Sequence, residues 1–248
     1  MSEQPKNLKT QEYADFLARN RDAERWSEDA VLLSLVKSPS PLILDVGAYT
    51  GTSAIRFRRI FPNCRLMCFE PNPAARQELL LTKARLGGDI QVFDWAISDH
   101  DGSANFVVQG INPGMSGLAR RNVNSKDSIA LASDGPSSQA DLNVEELVVP
   151  TRRLDSVEMN GAQHVDVLKI DVQSCESKVL DGASRILLST EVVIVEVSFY
   201  DMYETRSSFL AVERSMEPAG LRLWAITTHS RNPMNGRTDW VNAVYSRN

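Results

Sequence analysis

The sequence predicts an α/β protein built on a doubly wound, mostly parallel sheet. Three observations carry this. Short apolar runs at residues 42–46, 66–69, 90–93, 165–170 and 191–198 alternate with stretches that have helical spacing. Several of these runs close on an acid, at Asp45, Glu70 and Asp171. Two glycines four apart, Gly47 and Gly51, follow the first run and precede a helix-compatible stretch. That reads as a buried strand, a tight turn and a helix N-terminus, where glycine reaches backbone angles closed to other residues and lets a ligand approach. The three-glycine GxGxxG fingerprint of dinucleotide folds is not present at this turn.

The elements follow in order. Phe16, Leu17, Trp26, Ala30 and Leu33 recur at helical spacing, giving one or two leading helices, interrupted or capped near Ser27. Prolines 39 and 41 separate them from the first strand. A crossover helix over 53–60 follows the glycine turn, and the second strand ends at Phe69 and Glu70. Pro73 suits the first turn of the next helix, where its missing N–H is unpaired anyway, and Gly87-Gly88 closes that helix. After the third strand, residues 104–108 alternate as an extra strand in a hairpin. Residues 110–143 turn to Gly, Ser, Asn, Pro and Asp and read as a functional loop, expected to be mobile and to close as a lid. The strand at 146–150 precedes the fourth main strand, which ends at Asp171. One helix is predicted over 176–188, a fifth strand over 191–198 and a helix over 207–216. Residues 221–227 and 240–246 complete the sheet as an antiparallel pair, joined by a loop that carries His229. The domain reading is a helical extension over 1–40 and a single sheet domain over 41–248.

Composition narrows the function. With 42% hydrophobic residues the chain can bury a core, and a net charge of −5 gives no basic bias toward nucleic acid. The three cysteines have neither metal spacing nor an even disulfide set, which points to a reducing, cytoplasmic setting. The N-terminus lacks the apolar core of a signal peptide, and no apolar run approaches a membrane span.

The motifs add a resemblance. DVGAYTG followed by FEP looks like the cofactor-binding halves of Rossmann-like S-adenosylmethionine-dependent methyltransferases. With AISDHDGSANF, GMSGL, VPTRRLD and LKIDVQSCESKVLDGA in that order, the series resembles the FkbM methyltransferases over roughly residues 42–245. The resemblance implies the seven-stranded class I sheet and O-methylation of a hydroxyl on a sugar, glycan or natural product. It implies that Asp45, Gly47, Ala48, Tyr49 and Gly51 wrap the methionine part of the cofactor. Glu70 would hold the ribose, as strand-end acids do in doubly wound folds. Asn72 either contacts cofactor or caps the second helix. Asp94 and Ala96 fall where this fold meets adenine, and Ser116 sits in a glycine-flanked loop able to cover it.

Catalysis needs a hydroxyl aligned and deprotonated. The candidates are Asp171, then Glu196 at the end of the fifth strand, then His229. One departure stands out: family members commonly carry an acid and a glycine where this chain has Gln173 and Ser174. Glutamine hydrogen-bonds but is neither a base nor an anionic ligand. Converging carboxylates would permit Mg²⁺, Gln173 weighs against it, and no metal ligand is assigned. The expected partner is a small-molecule or glycan acceptor. N-methylation, or a non-catalytic cofactor-binding subunit, is the rival reading.

Overall fold

The structure is a computed structural model that describes residues 27–110, 113–126, 128, 144–159, 161–231 and 235–247. The expected elements at residues 13–26, and most of the expected loop at 111–112, 127 and 129–143, lie outside the described residues. In chain order the elements are α1 (Glu28–Leu35), β1 (Leu42–Val46), α2 (Thr52–Ile60), β2 (Arg65–Phe69), α3 (Pro73–Leu86), β3 (Ile90–Phe93), β4 (Ala96–Ile97) and β5 (Gly102–Gln109). They continue as β6 (Val144–Arg152), β7 (Val165–Ile170), α4 (Glu176–Asp181), α5 (Ser184–Leu187), β8 (Thr190–Ser198), α6 (Phe209–Met216), β9 (Arg222–Arg231) and β10 (Thr238–Ser246).

The main sheet has seven strands in the order β3-β2-β1-β7-β8-β10-β9. Neighbours from β3 to β8 are parallel, and β10 runs antiparallel to both β8 and β9. The chain winds one way from β1 to β3 and the other way from β7. The strand order therefore reverses between β1 and β7, and doubly wound sheets bind ligands in the crevice at such a point.

Alternate residues of each strand feed two cores. Val193, Val195 and Val197 of β8 pack with Val179 and Leu180 of α4 and Val212 of α6. Val192 and Ile194 face the other way, toward Leu32 of α1 and Phe57 of α2. The period of two in a strand makes this division, and burial on both faces explains the near-continuous Val/Ile run. The caps behave as their residue types require. Ser27 accepts from Ala30 N at the start of α1, and Asn72 Oδ1 accepts from Ala74 N at the start of α3.

The structure corrects three expectations. β5 does not form a local hairpin: it pairs antiparallel with β6, and β4 pairs parallel with β6 in a separate three-stranded sheet. The helix expected over 176–188 is two helices broken at Gly182-Ala183. There Asp155 takes the backbone N–H of Arg185 and Ile186, capping α5 from a distant segment. The final strands are longer than expected, so His229 lies within β9 instead of on a loop.

Candidate active site

The site grows from the turn after β1. Gly47 has φ +81° and Gly51 φ +91°, both in the left-handed region that favours glycine. A Cβ on Gly47 would lie 1.9 Å from the carbonyl oxygen of Asp171, so the β1 turn and the end of β7 touch backbone to backbone only because this residue has no side chain. Gly47 N and Ala48 N donate to Phe69 O, fastening the turn to the end of β2.

That fastening brings Glu70 under the turn. Its Oε2 accepts from Tyr49 N at 2.8 Å and its Oε1 accepts from Asn72 N at 2.8 Å. Burial raises the Glu70 carboxyl to about 7, and the two backbone donors oppose that rise. Each oxygen keeps a lone pair for a further donor.

A cavity of about 150 Å³ opens beside these residues. Gly47, Tyr49 and Glu70 form one side, and Asp171, Val172 and Gln173 form another. Its apolar wall is Trp95 and Phe106. Trp95 is the outer ring of a stepped aromatic series: Phe69 stacks on Phe93 at 5.1 Å, and Phe93 meets Trp95 at 4.8 Å between centroids. The Arg152 guanidinium lies 5.6 Å from the Trp95 ring centre. The roof is a short turn, Pro113–Met115, followed by Ser116 and Gly117. Val107 and Gly117 exchange backbone hydrogen bonds of 2.8 and 3.1 Å, and Ser116 Oγ accepts from Gln109 N at 3.0 Å.

Asp171 follows the last residue of β7 and lines the cavity. Its Oδ1 accepts from Gln173 Nε2 at 3.0 Å and its Oδ2 from Lys169 Nζ at 3.3 Å. Lys169 also lies 3.5 Å from Asp45 Oδ1, as expected from the cross-strand register that places Asp45 opposite Lys169. Burial pulls the Lys169 ammonium down, but Asp171, Asp45 and Glu196 together hold it above its ordinary value. It stays a cation at the centre of an acidic cluster. Asp45 is fully buried beneath the turn, away from the cavity lining, and burial raises its carboxyl despite Lys169. Glu176 is also buried; its Oε1 accepts from Val172 N and Ser174 N and so shapes the turn after β7. Burial first, then Asp171, raises its carboxyl to about 7.

Glu196, on β8, is raised to about 9 by burial, then by Asp171 and Glu176, with Lys169 opposing. Unlike Asp171, it lies outside the cavity lining.

The cavity lining thus brings together Gly47, Tyr49, Glu70, Ala96, Ser116 and Asp171 from the sequence candidates. Ala48, Gly51 and Asn72 support the turn and the α3 cap from outside the lining. Asp94 is exposed and outside the lining. His229 is exposed and shares the register row of Val241 and Val197, next to the row that holds Glu196 and Asn242. Successive rows point to opposite faces, so the β8 and β9 side chains diverge. Sequence reasoning did not single out Trp95, Phe106 or Tyr203. An aromatic near a strand reads equally as core, and the fold alone turns the Trp95 and Phe106 rings toward the cavity, while Tyr203 packs behind it with its hydroxyl on Gln173 and Met115.

The match to known proteins agrees with this geometry. The family model described as the methyltransferase FkbM domain matches residues 45–223. This chain belongs to the FkbM methyltransferase family. It is an S-adenosylmethionine-dependent methyltransferase by that membership. Among its relatives is the 2-O-methyltransferase NoeI of Sinorhizobium fredii, 31% identical over 188 residues, with 73% of each chain covered. The AMB antimetabolite synthetase AmbE of Pseudomonas aeruginosa is 29% identical over 194 residues, which is 70% of this chain but 9% of AmbE. Methyltransferase sdnD of Sordaria araneosa is 25% identical over 161 residues, covering 59% of this chain and 61% of sdnD.

The residues present fit the cofactor of this family. A glycine turn, a strand-end carboxyl with spare lone pairs and a flat ring at the wall suit the parts of an adenosyl amino acid. Among the described residues, no helix is long and apolar enough to cross a membrane, and no group of three His, Cys, Asp or Glu side chains is placed to hold a metal.

Proposed function

We propose that this FkbM protein O-methylates a hydroxyl on a sugar, glycan or natural product, with Asp171 as the group that takes the hydroxyl proton. The observation that supports it is the placement of Asp171: it lines the cavity at the switch point, with a cation and an amide each holding one oxygen. Similarity to a relative named 2-O-methyltransferase adds the choice of oxygen as acceptor atom.

When bound, S-adenosylmethionine supplies a methyl group already activated by its sulfonium, so the protein's work is alignment and proton removal. Glu70 would accept hydrogen bonds from the ribose hydroxyls on the oxygens that Tyr49 N and Asn72 N orient. Trp95 would offer a flat face to the base. Asp171 Oδ2, engaged only by the longer contact to Lys169, would take the proton that the acceptor hydroxyl gives up. Lys169 stabilises the negative charge on Asp171 before that transfer.

The second reading is a cofactor-binding subunit without turnover, favoured by the neutral Gln173 beside Asp171, which cannot act as a second base. Calorimetry with S-adenosylmethionine and S-adenosylhomocysteine, followed by a mass-spectrometric screen of hydroxylated acceptors, separates the two. A product heavier by one methyl on oxygen supports O-methylation. Tight cofactor binding with no product across sugars, glycans and amines supports the binding subunit, and a methylated amine moves the reading to nitrogen.

A further inference from the structure

Gln173 is bonded at both ends. Its Nε2 donates to Asp171 Oδ1 at 3.0 Å, and its Oε1 accepts from the Tyr203 hydroxyl at 2.8 Å. The same hydroxyl lies 3.2 Å from Met115 O, in the roof of the cavity. The amide orientation is dictated by charge, because a carboxylate oxygen needs the NH₂ end and leaves the carbonyl end for the phenol. Burial first, then Tyr200 and Glu196, pushes the Tyr203 hydroxyl well above its ordinary value, so it stays a donor.

The backbone supports the same connection. Gln173 and Ser174 hold φ of +56° and +73°, a left-handed pair that costs non-glycine residues energy and persists only where surroundings enforce it. Glu176 Oε1 and Ser207 Oγ provide that enforcement, holding Ser174 through its N–H and its carbonyl. Gly117 of the roof lies directly above: a Cβ there would be 3.2 Å from Val172 O and 3.4 Å from Gln173 Cβ. Tyr203 is in turn zipped to the segment after the roof, with Asn122 N donating to Met202 O and Glu204 N to Arg120 O, each at 2.8 Å.

We propose that Gln173 is a positioning residue that couples closure of the roof over the cofactor cavity to the placement of Asp171, through the Tyr203 hydroxyl. A displaced roof would pull Tyr203 from Gln173, free the amide to rotate, and leave Asp171 held by Lys169 alone. The neutral amide thus has a physical use here: one side chain donates to a carboxylate and accepts from a phenol at once. The role in chemistry rests on the methyltransferase reading above; the coupling itself does not.

The test uses the full chain without acceptor. Amide exchange of Val107 and Gly117, whose mutual hydrogen bonds fix the roof, is measured in wild type, Gln173→Ala, Tyr203→Phe and the double variant. Each single variant should speed exchange about tenfold, the equivalent of one buried hydrogen bond, and the double variant no further. Gln173→Glu keeps the acceptor for Tyr203 and loses the donor to Asp171, so its roof should exchange within about threefold of wild type. Unchanged exchange in Gln173→Ala overturns the coupling, as do effects of the two single changes that multiply in the double variant. Calorimetry with S-adenosylhomocysteine on wild type is run beside it. Failure to bind there sinks the methyltransferase reading while leaving the exchange result to judge the coupling.

Discussion

In the proposed reaction Asp171 and Glu70 carry different parts, and their surroundings make the difference measurable. Asp171 has both oxygens occupied by donors and faces the cavity. Asp171→Asn keeps its shape and removes the proton acceptor, so the turnover rate should fall by about 10²–10⁴-fold. The S-adenosylhomocysteine dissociation constant should stay within about threefold, since this carboxyl acts on the acceptor. A folded Asp171→Asn protein with wild-type turnover would remove the base assignment. Glu70 should behave in the opposite way. Glu70→Ala should weaken S-adenosylhomocysteine by about 2–3 kcal/mol through lost charge-assisted bonds. Burial holds its carboxyl near 7, so the accepting, ionised form declines as pH falls through that value. Cofactor affinity should therefore weaken below about pH 7, and Glu70→Gln should flatten that dependence. Calorimetry across pH reads both effects, and a wild-type affinity independent of pH would exclude an ionised Glu70 as the ribose acceptor.

Among the elements, the β1–turn–α2 unit was legible because its causes are local. An apolar run, an acid and two glycines lie within ten residues, and each residue type has one physical reason to be there. The β5–β6 pairing was not legible, because it joins segments on either side of the long 110–143 stretch and alternation does not name a distant partner. The break between α4 and α5 was hidden for a related reason: its cause, the Ser98 carbonyl and the Asp155 carboxylate, comes from elsewhere in the chain. Gly182 makes this testable. Its φ of −82° and ψ of 0° are open to any residue, so on conformational grounds Gly182→Ala should stabilise by about 0.4–1 kcal/mol. The packing says otherwise, since a Cβ would lie 2.0 Å from Ser98 O and 3.0 Å from its carbonyl carbon. Backbone must move, and we expect a loss of roughly 3 kcal/mol, read as a lower urea midpoint at unchanged slope. A midpoint at or above wild type would show that the contact is soft.

Across the whole molecule, the doubly wound sheet and its closing antiparallel pair were readable from the sequence, while the contacts around Asp171 were not. The side of the cavity with Gly47, Tyr49 and Glu70 rests on consecutive β–turn–α units. The far side of the cavity is assembled from Asp171, Gln173 and the roof, which meet only after β7 is placed beside β1. That assembly also gathers buried carboxyls, and their combined effect predicts how the protein answers pH. Glu70 and Glu176 are raised to about 7 and Glu196 to about 9, in each case chiefly by burial, and Asp45 is raised as well. A group whose folded value lies above its unfolded value binds the proton more tightly when folded. Its contribution is complete below the unfolded value, near 4.5 for glutamate, and is lost as pH rises through the folded value. The glutamates therefore subtract stability between about pH 4.5 and 9, and Lys169, raised among its carboxylates, continues the same trend at higher pH. The cofactor-free protein should melt several degrees higher at about pH 5.5 than at about pH 8.5, although its cofactor affinity is lower in acid. Glu196→Gln should reduce the part of this slope above about pH 7, because the amide is neutral throughout. Thermal melts at fixed ionic strength over that range measure the slope, and a melting temperature that rises toward alkaline pH would mean that these carboxyls are not buried together as the structure places them.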